Sequence, residues 1–265
     1  MLKFAEEKNL KKMLKFCEDK PLGVRIASQL LNYGFNYDFS QYWIEIVDGN
    51  IVCIVSVYEM SITVCANEKF NAEQTRIFIQ MREFTSLEAE EKILKMMRYE
   101  NYKAKQMLKF SGEPVSKPSV KMANYFDHKK VFDMMSQNID DSFEPSHNAF
   151  CYWLSDFGFK RKNNMARACV NMKKGVFYAS AITSAESETQ ALITGVICSP
   201  DYQGQGLGKE IVQSIVYWIV KDKKQAFLVA LNDDVEKFYH KLGFENHRLI
   251  GIVSGVNHPE FFDFE

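Results

Sequence analysis

Thr194-Gly-Val-Ile-Cys-Ser-Pro-Asp-Tyr-Gln-Gly-Gln-Gly-Leu-Gly-Lys-Glu210 joins an apolar run, a glycine-rich loop and the start of an amphipathic helix. It continues an apolar run, Gln190–Cys198, with the length of a buried strand. Pro200-Asp201 break that strand. A loop with Gly204, Gly206 and Gly208 then leads into Gly208–Val220, where Ile211, Val212, Ile215 and Ile219 share one helical face.

A glycine-rich loop between a buried strand and a helix is built for an anion. The first N–H groups of a helix have no intrahelical partner. The helix dipole adds partial positive charge there. Glycine lets the backbone approach a ligand and take φ > 0. A pyrophosphate suits such a cradle. The spacing Gly204-Gln-Gly206-Leu-Gly208 is not the G-x-G-x-x-G of a dinucleotide fingerprint, and no Gly-Lys-Ser/Thr follows as in a P-loop.

Gln203-Gly-Gln-Gly206-Leu-Gly208 resembles the Q/R-x-x-G-x-G/A motif of the GCN5-related N-acetyltransferase (GNAT) superfamily. Downstream, Asn232-Asp-Asp-Val-Glu-Lys-Phe-Tyr-His-Lys-Leu-Gly-Phe244 resembles that superfamily's N-x-x-A-x-x-[LF]-Y-x-x-x-G-F signature, with Val235 in place of Ala. The resemblance covers about residues 118–265. It implies an α/β (α+β) fold, with a mixed, mostly antiparallel sheet flanked by helices. It implies an acetyl-CoA-dependent N-acetyltransferase that moves an acetyl group to a primary amine of a small molecule or peptide by direct attack. Residue by residue, it implies that the backbone of Gln203, Gly204, Gln205, Gly206, Leu207 and Gly208, with Lys209, holds the coenzyme A pyrophosphate. Val196, Ile197 and Cys198 would pair with the pantetheine arm, Val196 N–H facing the thioester carbonyl. Asn232 would bond near the pantetheine, and Tyr239 would protonate the departing thiolate.

Each role has a plainer alternative. Asn232 is a good helix N-cap, and Tyr239 falls on an apolar helical stripe. Cys198 reads as packing, since no His lies nearby in sequence to activate it. The strand before the loop, Ala191-Leu-Ile-Thr-Gly-Val-Ile, has no carboxylate where some members of the family place a general base. Glu186 and Glu188 are expected at the solvent end of that strand, and Glu144 and His147 between two helices. The missing base keeps a second reading in view, a non-catalytic acyl-CoA-binding or regulatory protein.

Outward from the motifs, Ser111-Gly-Glu-Pro-Val-Ser-Lys-Pro118 reads as a linker. It separates an N-terminal α/β domain over 1–112 from the GNAT-like domain over 118–265. The first part reads as helices over 3–33, a hairpin about Asp48-Gly49-Asn50, a third strand Ser61–Ala66, a helix Phe70–Phe84, and another from an N-capping Ser86 to Met97. The second reads as a strand Ser119–Tyr125, helices His128–Gln137 and Ser146–Phe157, a hairpin about Lys173-Lys174-Gly175, and a closing strand Leu249–Val253. This similar order suggests a degenerate copy of the same fold in the first half. There a phosphate loop would fall at Asn71–Gln74, which has no glycine.

Bulk properties exclude other classes. Thirty-three basic against 34 acidic residues, net −1, give no electrostatic drive toward nucleic acid or an anionic membrane. That argues against a transferase using charged tRNA. Cys17, Cys53, Cys65, Cys151, Cys169 and Cys198 form no CxxC pair and no metal-ligand spacing with His, so no metal is expected. They read as reduced thiols of a cytoplasmic protein. Met1–Lys8 has no apolar signal core, and no apolar run reaches the ~20 residues that span a bilayer. A monomer or homodimer is the expected state.

Overall fold

The computed structural model describes residues 1–18, 20–136, 147–173 and 176–255. Among these the chain forms two compact units. Residues 1–107 with 246–255 make unit 1, and 108–245 make unit 2. The C-terminal strand therefore belongs to the N-terminal unit.

Unit 1 runs β1 (Lys3–Phe4), α1 (Leu10–Glu18), α2 (Gly23–Tyr33), β2 (Ser40–Val47), β3 (Asn50–Tyr58), β4 (Ser61–Ala66), α3 (Ala72–Gln80), β5 (Ser86–Glu90), α4 (Glu91–Met96) and the start of β6 (Lys103–Phe110). The hairpin turn between β2 and β3 forms as expected, with φ of 50° at Asp48 and 77° at Gly49, the handedness that matches strand twist. Strands β1 to β4 are antiparallel neighbours, and β4 pairs parallel with β5.

Unit 2 repeats this plan. It runs β7 (Lys121–Met122), α5 (His128–Ser136), α6 (His147–Lys162), β8 (Ala168–Lys173), β9 (Val176–Glu186), β10 (Gln190–Cys198), α7 (Leu207–Lys221), β11 (Gln225–Ala230) and α8 (Asp233–His240). Its strands β7 to β10 are antiparallel neighbours, and β10 pairs parallel with β11. The sheet is mixed, mostly antiparallel, and flanked by helices. One face packs on α7 and α8 through Ile211, Val212, Ile215, Ile219 and Tyr239. The other packs on α5 and α6 through Val131, Phe132, Met135 and Phe157. Each fully buried aliphatic side chain contributes about 2 kcal/mol.

Several local expectations need correction. Ser86 caps no helix; Ser86–Glu90 is a strand, because Leu87 and Ala89 alternate into the core and pair with β4. Only then does the six-residue α4 begin. The helix expected over Phe70–Phe84 is shortened to α3, capped by Asn71, whose Oδ1 accepts from Gln74 N–H at 3.0 Å. Of Ser119–Tyr125 only Lys121–Met122 pairs as strand. The closing strand is longer than expected, β12 (Phe244–Ser254), and lies antiparallel to β5 in unit 1. The Lys174-Gly175 turn and Gln137 lie outside the described residues.

Candidate active site

The parallel pair at the centre of unit 2 comes apart where the sequence becomes informative. β10 and β11 are in register from Gln190↔Gln225 to Ile193↔Leu228 and no further. Beyond that point Thr194–Cys198 runs on without a partner on its β11 side. On its other side β10 bulges: Thr194 pairs with Ile182 and Ile197 with Ser180, so Gly195 and Val196 face the single residue Ala181. Gly195 takes φ 55°, and a Cβ there would stand 2.9 Å from Met135 Sδ. Both facts favour glycine there. Buried over Gln190–Ile193, β10 becomes half-buried over Thr194–Cys198, so its bulged end opens toward solvent.

The loop after Cys198 is braced from several directions. Ser199 N–H donates to Tyr178 O at 2.9 Å, and the Tyr202 ring meets Tyr178 edge-on at 4.2 Å. Gln203 Nε2 donates back to Cys198 O at 3.3 Å. Gly204 and Gly206 then take φ 76° and 84°, with open space where a Cβ would stand. Gly206 caps α7 and offers no side-chain hydrogen bond. Consequently the N–H groups of Gly204, Gln205, Gly206, Leu207, Gly208 and Lys209 find no acceptor among the described residues. Gln203 departs from the expected cradle, because its own N–H already donates to Pro200 O at 3.3 Å. Six consecutive free donors stand at the positive end of a 15-residue helix, an arrangement that suits an anion.

The second motif is tied to the first by packing. A Cβ on Gly208 would lie 3.5 Å from Phe238 Cζ, so α8 rests against the first turn of α7. Asn232 caps α8, its Oδ1 accepting from Asp234 N–H at 3.1 Å and Val235 N–H at 3.0 Å. Tyr239 is 6% exposed and sits edge-on to Phe244 at 5.7 Å. Burial pushes its phenol up to about 12. The Gly-Phe that ends the motif fixes this position. Gly243 takes φ 90°, and a Cβ on it would stand 3.0 Å from Gly112 Cα. Phe244 then drops into the core.

Val196 and Cys198 pack toward the α7 core and Ile197 toward the α5–α6 core. The Cys198 thiol is pushed up by burial, and its Sγ lies 3.8 Å from Ser199 O. It behaves as a packing residue, not an activated nucleophile.

The carboxylates expected near the strand take other roles. Glu186 is fully buried instead of solvent-facing. Arg167 grips it with Nε and Nη2, both at 2.7 Å, Thr183 Oγ1 donates at 2.7 Å, and Lys224 Nζ donates at 2.8 Å. Burial alone would raise its carboxyl; the bonds and charges of Arg167 and Lys224 outweigh that and hold it below the ordinary value. Glu188 is exposed in the turn before β10. Both lie at the end of β10 away from the loop, roughly 26 Å along the strand. Glu144 and the side chain of His147 lie outside the described residues.

Residues 167–246 match the family model of the acetyltransferase (GNAT) domain. Over these residues the chain resembles the GNAT acetyltransferase domain. An acetyltransferase from the GNAT family from Colwellia psychrerythraea superposes with a TM-score of 0.61 at 15% identity, covering 95% of this chain and 98% of that one. A tandem GNAT protein from the clavulanic acid biosynthesis pathway gives 0.61 at 11% identity, covering 97% and 100%. A GCN5-related N-acetyltransferase from Kribbella flavida gives 0.58 at 15%, covering 89% and 96%. At such identities the likeness is one of fold, and it extends over both halves. No curated protein matches in sequence.

Proposed function

We propose that unit 2 transfers an acetyl group from acetyl-CoA to a primary amine of a small molecule or peptide. The observation that supports it is the row of free N–H donors from Gly204 to Lys209 beside the split between β10 and β11. In this reading the donors hold the pyrophosphate. The unpaired edge Val196–Cys198 receives the pantetheine amides, as a sheet edge receives a strand. Val196 N–H stabilises the oxygen that gains charge when the amine nitrogen attacks the thioester carbon. As the C–S bond breaks, Tyr239 gives its proton to the sulfur, and the nitrogen releases one to solvent, which restores the phenol. A phenol held near 12 keeps that proton at any physiological pH.

A second reading, an acyl-CoA-binding protein without turnover, is favoured by the places of Glu186 and Glu188. Neither stands at the open end of β10 to take a proton. The two readings separate in one assay: free thiol released from acetyl-CoA across a panel of primary amines. Amine-dependent release supports transfer. Binding of acetyl-CoA with no release from any amine would leave the binding reading alone.

A further inference from the structure

Among the described residues of unit 2, His128 Nδ1, Ser180 Oγ, Ser184 Oγ and Trp218 Nε1 are buried without a hydrogen-bond partner. Buried polar groups are ordinarily bonded, and an exception calls for a reason. His128 stands among the rings of Tyr125 and Phe157, at 5.0 Å and 5.3 Å. It also begins α5, whereas Met135, near the other end of that helix, meets the bulge. Ser180 differs from the others in where β9 puts it. It is the register partner of Ile197, next to the Gly195–Val196 bulge. Ala179 and Ala181 face the α7 core and Ile182 the α5–α6 core, so strand alternation turns Ser180 toward α5 and α6. That is the face opposite the anion cradle. Ser180 is 0% exposed and Ile197 beside it is half-buried, so a ligand meets the hydroxyl only when the Ile197 side chain moves aside.

We propose that Ser180 Oγ is a hydrogen-bonding group of the acceptor site. An amine that meets a thioester lying in the β10–β11 split, without crossing the coenzyme, comes over the α5–α6 face. There the Ser180 oxygen accepts a hydrogen bond from the amine N–H and turns the nitrogen lone pair toward the carbonyl carbon. The hydroxyl keeps its own proton and forms no covalent bond. The unpaired state of Oγ is then that of an enzyme waiting for its acceptor. This assignment rests on the acyl-transfer reading of the same site.

The test is Ser180→Ala in the full chain, with acetyl-CoA and whichever primary amine of the panel the unaltered protein turns over fastest. KM for that amine should rise about tenfold, equivalent to about 1.4 kcal/mol. KM for acetyl-CoA should stay within twofold. The Tm of the free protein should hold or rise, since no native hydrogen bond is lost. An unchanged amine KM overturns the assignment. So does a fall in Tm of the free variant, which would make the hydroxyl structural. If the unaltered protein binds acetyl-CoA and turns over no amine, the transfer reading fails and takes this assignment with it.

Discussion

At the residue scale, burial raises the Tyr239 phenol, whereas at Glu186 the cationic partners outweigh burial and lower the carboxyl. The phenol is the acid form of its group, and burial raises its value to about 12. The active, protonated form is therefore present below about 12 and lost only above it. The pH–rate profile should show no alkaline limb attributable to Tyr239 at pH 8–10. Tyr239→Phe should lower kcat by about 100-fold and leave the acetyl-CoA-induced Tm shift intact; turnover unchanged by the substitution would remove Tyr239 from the chemistry. Glu186 is a carboxylate whose folded value is lowered. Its stabilisation is complete above the unfolded value of about 4.3 and is lost as pH falls through the lower folded value. Glu186→Gln leaves Lys224 without its carboxylate and Arg167 with Asp222 alone, at 3.0 Å, and should cost about 3–5 kcal/mol, a Tm loss on the order of 10 °C. Calorimetry at pH 7 would show it, and its Tm should fall less steeply than that of the unaltered protein below pH 4. No sequence pattern predicted this role. Arg167, Glu186 and Lys224 are far apart in sequence and meet only because β8, β9 and the end of α7 converge.

At the element scale, the strand–loop–helix from Gln190 to Lys221 was legible because every local signal agreed. The apolar run ended at a proline, the glycines stood where the chain turns, and the helix stripe began at once. The structure adds which glycine does what. Gly206 is left-handed with room around it, whereas Gly208 has ordinary helical geometry and meets Phe238. Gly206→Ala should therefore cost about 1–2 kcal/mol in backbone strain and weaken acetyl-CoA binding. Gly208→Ala should be tolerated, its methyl at normal contact distance; isothermal titration of the two variants would distinguish them. β5 was not legible. Ser86-Leu-Glu-Ala-Glu favours a helix locally, and only pairing with β4 makes it a strand. The bulge at Gly195 and the split beyond Ile193 were hidden as well, since both depend on what the neighbouring strands do.

At the scale of the whole molecule, the two units share one plan but only unit 2 has an open cradle. In unit 1 β4 and β5 also part beyond Val64↔Ala89, yet Lys20, Pro21 and Leu22 fill the gap and leave a cavity of about 10 Å³. That is room for one water at most. The start of α3 is already occupied by the chain's own groups. Asn71 caps it, and the buried Glu45 carboxylate accepts Asn71 N–H at 2.8 Å. Calorimetric titration should therefore find one acetyl-CoA per chain; two would show that unit 1 opens. The shared order of elements suggested this kinship from sequence, while sequence did not show that β12 would pair with β5. The proposed cradle for coenzyme A is the Gly204–Lys209 backbone. The most direct measurement is the thermal transition with and without acetyl-CoA, for the unaltered protein and for Gly206→Glu, which puts a carboxylate into the cradle. Acetyl-CoA at 100 times its Kd should stabilise the unaltered protein by about 2.7 kcal/mol, a Tm rise of roughly 5–10 °C, and should leave Gly206→Glu unmoved. No rise in the unaltered protein at millimolar acetyl-CoA, or an equal rise in both, would contradict the claim.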